Sequence, residues 1–289
     1  MLTDAFFGLL RYAAPVGLAS MGESVGQKAG VINIGLEGIM VTSAFCATVA
    51  CDLTKDPWIG LGLGVLAGFV LALVQAFFTL RLGCDQVVVG TAVNLFGLGL
   101  TGTLYRLKYG SSGQLLSVAK VPQFGGCDVV LVAWLASVVV VTWLVFRSKW
   151  GLVARATGEY PPAVVANGFS PIWTRFQAVM VGGLFAGLAG AYLSLGIAGS
   201  FAENMTAGRG FVALAMVTFG RWKPIGVFLA SLLVGYVDSL QFELQTKNIG
   251  WPPQFFIALP YVVVLVVLVF AGKGSAAPAA LARPFDRKG

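Results

Sequence analysis

The chain has 289 residues, of which 57% are hydrophobic and 11% are charged, whereas soluble domains carry about 25% charged residues. This composition, together with a mean hydropathy of +0.86, argues against a water-soluble fold. The net charge of +7 could suggest nucleic-acid binding, but the basic residues are spread among connecting segments, so no nucleic-acid partner is predicted. Four dispersed cysteines and the lack of histidine predict no metal site.

The first forty residues combine an apolar run with polar and ionisable residues that lie within or next to apolar sequence. No secretory signal is evident, so the first run is predicted to remain as a helix. Glu23, Lys28, Asn33 and Glu37 then lie in or against apolar sequence, interrupted by glycines at 26, 30, 35 and 38. An ionisable group at membrane depth needs a partner or a watery cavity. Two interpretations remain open: a pathway-lining broken helix, or a cytoplasmic loop leading into a helix at Gly35.

Apolar runs dominate the rest of the chain and predict an all-α polytopic membrane protein. Five uncharged runs are close to the ~20 residues that cross a hydrocarbon core, at 58–80, 86–105, 129–146, 176–202 and 254–272. Shorter runs flanked by glycine and ionisable residues are predicted to be broken or re-entrant helices, at 12–22, 38–51, 210–220 and 224–237. We predict eight to ten crossings in a single transmembrane permease domain over 1–272.

The connection 147–175 is the least hydrophobic interior stretch. It carries four basic residues against Glu159 alone, which predicts a cytoplasmic location. Pro161 and Pro162 suit the opening turn of a short helix and Gly168 suits its C-terminal cap. The small apolar face over 163–166 is suited to docking into a groove of another protein.

The segment 200–220 shares a pattern with the segment 23–40. In both, an Ala-Gly pair precedes a short apolar stretch that contains methionine. Transporters often contain related halves with broken helices at matching positions, although chance in a sequence rich in glycine and alanine explains the match equally well. The last residues, 273–289, are predicted to form a short, disordered cytoplasmic tail.

Four motifs together resemble the permease subunits of ATP-binding-cassette importers, in the branch serving simple sugars, nucleosides and branched-chain amino acids. They are GVINIGLEGIM at 30–40, RATGEYPPA at 155–163, NMTAGRGF at 204–211 and FGRWKP at 219–224. The motif with Glu37 is most similar to the general nucleoside-import subgroup. Those permeases reside in the bacterial cytoplasmic (inner) membrane and pair with a second permease, a cytoplasmic ATPase and an extracytoplasmic solute-binding protein.

The resemblance implies a cytoplasmic coupling helix that contacts the ATPase. Its residues would be Arg155, Ala156, Gly158, Glu159, Pro162, Ala163 and Gly168. Tyr160-Pro161-Pro162 departs from the family pattern of a polar residue and a single proline, which shifts the start of the helix by about one residue. The second permease would be a distinct homologue or a copy of this chain, and membrane lipid surrounds the assembly.

The chain lacks a GxxxxGK[ST] phosphate-binding loop, so we predict that it is not an enzyme, binds no cofactor, and leaves ATP and Mg²⁺ to the ATPase. The solute would be nucleoside-like or sugar-like and would cross by alternating access. Pathway candidates are Asn33, Glu37, Asn94, Phe96, Asn204, Thr206 and Asp238; for the asparagines, a helix-helix hydrogen bond is the alternative. The alternative function is an ion-coupled secondary transporter of a small polar solute, which Glu37 and Asp238 would suit.

Overall fold

The computed structural model describes residues 2–110, 116–246, 252–271 and 277–283. The helices are α1 (Leu2–Lys28), α2 (Leu36–Thr54), α3 (Pro57–Ala76), α4 (Gln86–Tyr109), α5 (Val129–Phe146), α6 (Lys149–Glu159), α7 (Pro161–Ala166), α8 (Pro171–Tyr192), α9 (Arg209–Phe219), α10 (Pro224–Thr246) and α11 (Pro253–Ala271). Segments of π-helix extend α3 over Phe77–Arg81 and α8 over Leu193–Ala198. The predicted all-α fold is confirmed.

Four two-residue strands add two small antiparallel ladders. β1 (Leu116–Ser117) pairs with β4 (Ser200–Phe201), and β2 (Gln123–Phe124) pairs with β3 (Cys127–Asp128). Leu116 faces Phe201 and Gln123 faces Asp128 in the two registers. These ladders lie together at one end of the helical bundle, which we call the strand end. The opposite end, which contains α6 and α7, is the α7 end.

Local sequence explains where several helices begin. A side-chain oxygen of an aspartate or serine accepts a hydrogen bond from a first-turn backbone N–H, which satisfies a donor that the helix itself leaves free. The capping residues are Asp56 for α3, Asp85 for α4, Asp128 for α5, Ser148 for α6 and Ser170 for α8. In α3 and α8 a proline follows the cap directly.

Within the described residues, six helices are long and apolar enough to cross a membrane: α2, α3 with its π segment, α4, α5, α8 with its π segment, and α10. The 27-residue α1 and the 19-residue α11 fall outside that group. α9 has 11 residues, about 16 Å at the helical rise, which is only half of a hydrocarbon core. The range of eight to ten crossings therefore stays a prediction.

The prediction of a broken or re-entrant helix is wrong for three of the four short apolar runs. The runs 12–22, 38–51 and 224–237 lie inside the continuous helices α1, α2 and α10. Glu23, Glu37 and Asp238, which flank these runs, have polar partners elsewhere in the bundle, so their charges do not require the helices to break. Only 210–220 forms a short helix, as predicted. The backbone instead leaves helical geometry at 29–35, next to the α7 end, and at 199–208, next to the strand end.

Small residues bring the central helices into contact. α3 packs along α2 and α8 with Gly60, Gly64 and Gly68 at four-residue intervals on its buried face. A Cβ added to Gly68 would lie 2.5 Å from the Cα of Gly187 in α8. The opposite face of α3 exposes large apolar side chains such as Leu66, as expected of a face in contact with lipid.

Candidate functional site

The two interruptions meet at Glu37, in the first turn of α2. One carboxylate oxygen accepts hydrogen bonds from Thr206 Oγ1 at 2.5 Å and from the Gly208 N–H at 2.7 Å. The other oxygen accepts the Gly210 N–H at 2.6 Å. The carboxylate thus caps the N-terminus of α9, where N–H groups and the helix dipole favour negative charge. Glu37, only 3% exposed, joins the two interruptions.

Asn94 performs a similar task for α2. Its side-chain oxygen accepts the Gly38 N–H at 2.7 Å, and its nitrogen donates to the Ile34 carbonyl at 2.8 Å. The residue at the start of α2, Gly35, has no capping side chain, so α4 supplies the cap from another part of the chain. Asn94 therefore links α4 to the start of α2 by hydrogen bonds in this conformation, which is the alternative to a pathway contact.

The interruption 29–35 is held by Glu23 and by three residues that the sequence did not single out, Gln27, Gln86 and Trp222. Gln86 Oε1 accepts the Ile32 N–H at 2.9 Å. Glu23 Oε1 accepts the Asn33 N–H at 3.0 Å and Gln27 Nε2 at 2.9 Å. Trp222 Nε1 extends this hydrogen-bond network by donating to Gln27 Oε1 at 2.7 Å. The contacts of Gln86 and Trp222 connect residues far apart in sequence, so no local pattern could reveal those two.

Asn33 differs from its neighbours. Its side chain is 3% exposed, yet neither the amide nitrogen nor the amide oxygen has a hydrogen-bond partner among the described residues. Leaving such a group unpaired costs about 1–3 kcal/mol. A buried amide with free donors and acceptors next to an interrupted helix is thus a candidate contact for a solute or for water.

The remaining pathway candidates divide into exposed and buried residues. Phe96 and Asn204 are exposed, whereas Glu37 is buried. Asp238 is buried in α10 and faces Arg209, with its carboxylate 3.7 Å from the guanidinium. A cavity of about 120 Å³ borders this pair between α1, α9, α10 and α11, and Tyr261 lines it. Tyr261 also donates a hydrogen bond to the Ala207 carbonyl, which attaches α11 to the second interruption.

The predicted coupling residues occupy two helices rather than one, which corrects the single-helix prediction. The C-terminal part of α6 contains Arg155, Ala156, Gly158 and Glu159. Pro162 and Ala163 belong to α7, and Gly168 follows α7. The separation arises because the residue before a proline is disfavoured in helical geometry, and Tyr160 precedes Pro161.

Exposure separates the two groups further. Gly158 is buried against the carbonyl group of Lys28, with no room for a Cβ. Pro162, Ala163 and Gly168 are exposed, and Gly168 has a φ of +80°, the geometry that ends a helix at glycine. A cavity of about 260 Å³ lies between α6 and α7 and is lined in part by Ala156 and Ala163. Among the predicted coupling residues, the exposed ones therefore lie in or just after α7 and at the last residue of α6, Glu159.

Comparison with known proteins agrees with this architecture. Residues 5–271 match the family model described as the permease component of the branched-chain amino acid transport system. The nucleoside ABC transporter permease protein NupC of Lactococcus lactis is 33% identical, covering 93% of this chain and 92% of the relative. The guanosine ABC transporter permease protein NupQ of Bacillus subtilis is 32% identical over 92% of both. TsgC13 of Haloferax volcanii, which its name assigns provisionally to a glucose ABC transporter, is 31% identical over 94% of both.

The same two bacteria each contain a second matching permease. NupP of Bacillus subtilis is 24% identical and NupB of Lactococcus lactis is 21% identical to this chain. No solved structure matches the chain. The matched length and the multiple membrane helices lead to one conclusion: the chain belongs to the branched-chain amino acid transport system permease family and is a multi-pass membrane permease subunit.

Proposed function

We propose that the chain is one of two permease subunits of an ATP-binding-cassette importer that carries a nucleoside or a related ring compound, or a simple sugar, by alternating access. The observation that carries the proposal is α7. It is a proline-opened helix of six residues with an exposed face of small side chains, set between the membrane helices α5 and α8. A protruding helix of this kind is suited to docking into a groove of a motor subunit.

The α7 end would face the cytoplasm. Basic residues accumulate there, as the positive-inside pattern requires: Arg81, Arg147, Lys149, Arg155, Arg221 and Lys223. Residues 277–283 also lie at this end, because the Ala280 N–H donates to the Gly158 carbonyl. The C-terminal segment would therefore be cytoplasmic, in a bacterial cytoplasmic membrane.

The assembly would need three further components. A second permease, a distinct homologue or a copy of this chain, is suggested by the paired relatives NupP with NupQ and NupB with NupC. A cytoplasmic ATPase would bind ATP and Mg²⁺, and an extracytoplasmic binding protein would select the solute. Names of the relatives, guanosine and nucleoside, favour a nucleoside as the first solute to test.

Within the pathway, we assign different tasks to the predicted residues. Glu37, Thr206 and Asn94 would hold the two interruptions together and so set the closed geometry. Asn33, with its unpaired amide, would contact the solute when the pathway opens. Phe96 and Asn204, on the surface of this chain, would face the second permease or the solute between the two subunits.

The ion-coupled alternative is less well supported by the carboxylates that suggested it. A carrier of protons or sodium needs a carboxylate that can exchange its ligand, whereas Glu37 accepts three hydrogen bonds and Asp238 faces Arg209. The purified chain in liposomes with an ion gradient, compared with the full assembly supplied with ATP, separates the two. Uptake by the chain alone would refute the ATP-driven proposal.

The docking role of α7 leads to a first prediction. We expect Ala163→Glu to reduce co-purification of the ATPase and ATP-driven uptake by at least tenfold, because the exposed face would gain a bulky charge at the contact. The matched control is Ala119→Glu, an exposed alanine at the strand end, which should leave both unchanged. Both variants should elute from gel filtration like the parent chain. Normal ATPase association of the Ala163 variant would contradict the assignment of α7.

A further inference from the structure

The C-terminal segment 277–283, which we call the strap, is attached to two separate parts of the chain. The Ala280 N–H donates to the Gly158 carbonyl at 2.8 Å, and the Ala282 N–H donates to the Gly30 carbonyl at 3.1 Å. The Ala279 N–H donates to Glu159 Oε2 at 3.2 Å. These residues were predicted to belong to a disordered tail, and that prediction is wrong for 277–283. The strap connects the end of α6 to the interruption 29–35.

Arg175, in the second turn of α8, binds the same junction from inside. Its guanidinium donates to the carbonyls of Ala29 at 3.2 Å, Arg283 at 2.9 Å and Ala280 at 3.3 Å. Arg175 is 1% exposed, and no described carboxylate lies within ion-pair distance of it. The planar fork of donors suits several carbonyls at once. A buried cation is therefore held by backbone of the interruption and the strap alone.

The junction has no spare space. Gly30 has a φ of +91°, and a Cβ there would lie 2.8 Å from Arg175 Nη2 and 3.1 Å from the Ala280 carbonyl oxygen. Gly158 approaches Gly30 closely as well. Close-packed backbone transmits a displacement rather than absorbing it. A shift of α6 or of the start of α8 must therefore move residues 29–30.

α7 lies between those two elements. It is joined to α6 at Tyr160 and to α8 through the capping residue Ser170. From residues 29–30 the chain continues directly to Asn33 and to Glu37, whose carboxylate caps α9. A continuous physical connection thus runs from the exposed helix to the point where the two interruptions meet.

We infer that Arg175 and the strap are positioning elements that transmit the movement of α7 to the interruption 29–35, and so couple the motor to the opening of the pathway. The inference rests on the proposed function, in which α7 contacts an ATPase. Neither Arg175 nor the strap needs to touch the solute. Their loss should therefore change the amount of solute moved per ATP rather than the binding of either.

Ala282 offers a matched pair of variants. Its φ is +59°, which proline cannot adopt and glycine adopts without strain. Ala282→Pro also removes the N–H that Gly30 accepts, whereas Ala282→Gly retains it. Ala282 is exposed, so both substitutions leave the membrane helices intact. A second pair compares a chain lacking 277–289 with a chain lacking 287–289, which keeps the strap.

The experiment uses the full assembly in proteoliposomes, with labelled guanosine and, in parallel, labelled glucose as probes, and measures uptake and ATP hydrolysis in the same samples. We expect Ala282→Pro and the loss of 277–289 to lower solute uptake per ATP about tenfold, within the range of coupling changes seen for such connections. ATP hydrolysis should persist, and Ala282→Gly and the loss of 287–289 should match the parent.

Two outcomes separate this inference from the proposed function. Absence of ATP-dependent uptake of either probe by the parent assembly would count against the proposed function. ATP-driven uptake by the parent, with an unchanged ratio of uptake to hydrolysis in the Ala282→Pro and strap-deleted assemblies, would overturn the role of the strap alone. Arg175→Met, which frees the same carbonyls and keeps a similar volume, should reproduce the lowered ratio and serves as the independent variant if the deleted chain does not assemble.

Discussion

Replacement of Glu37 by glutamine is expected to lower solute uptake at least tenfold and to destabilise the permease by about 3 kcal/mol, the scale of breaking a buried charged network. The carboxylate accepts hydrogen bonds on both oxygens. A glutamine side chain retains only one acceptor oxygen, and its NH₂ group would face an N–H donor. The N-terminus of α9 would also lose the negative charge that its dipole favours.

The measurements are uptake in proteoliposomes and thermal unfolding in detergent. Glu203→Gln is the matched control, because Glu203 lies in the interruption 199–208 that Glu37 contacts, but is itself exposed and bonded to Arg106 at 2.6 Å and 2.7 Å. The hydrogen bond from Arg106 lowers the pKa of the Glu203 carboxyl. The ion pair between Glu203 and Arg106 is therefore intact at neutral pH. It is lost only when the pH falls through the lowered pKa of the Glu203 carboxyl. Equal effects of the two substitutions would show that Glu37 has no special role in joining the interruptions.

The second large effect is expected on the glycine face of α3. Gly68→Leu should prevent a stable bundle, because even the Cβ would lie 2.5 Å from Gly187 Cα and 2.8 Å from Ser43 Oγ. Overpacking a tight site costs about 1–3 kcal/mol when neighbours can adjust, and backbone cannot adjust as side chains do. We therefore expect at least 3 kcal/mol and loss of the monodisperse peak in gel filtration.

Gly62→Leu is the control on the same helix. Gly62 is exposed, and nothing lies within 4 Å of a Cβ added there. Leucine is a better helix former than glycine by about 0.5–1 kcal/mol, and it would face lipid like its neighbours. The thermal midpoint should be unchanged or slightly raised. A stable, monodisperse Gly68→Leu protein would contradict the packing of α3 against α8.

Elements that are bounded by proline or glycine could be predicted from the sequence. Prolines at 161 and 162 and Gly168 gave the bounds of α7 because proline and glycine act through their own backbone geometry. The glycines around residue 30 likewise indicated the first interruption. The membrane character followed from hydropathy, since lipid contact requires long apolar runs.

The rest depended on partners distant in sequence. Glu23 and Asp238 suggested broken helices, yet Asn33 N–H and Arg209 satisfy them and the helices continue. Nothing local distinguishes Gln86 as the acceptor for Ile32. The strap resembles a disordered tail in composition because its contacts are made by backbone groups, which any alanine-rich segment possesses.

The position of the strap after the helices in the sequence has a consequence for biosynthesis. Residues 277–283 are synthesised after the helices α1 to α11, and chains fold from the N-terminus during synthesis. Until residue 280 has been added, Arg175 has only the Ala29 carbonyl of its three acceptors. These helices can therefore be inserted in the membrane before the junction at the α7 end is complete. A product that ends before residue 280 would lack two of the three backbone acceptors of the Arg175 guanidinium.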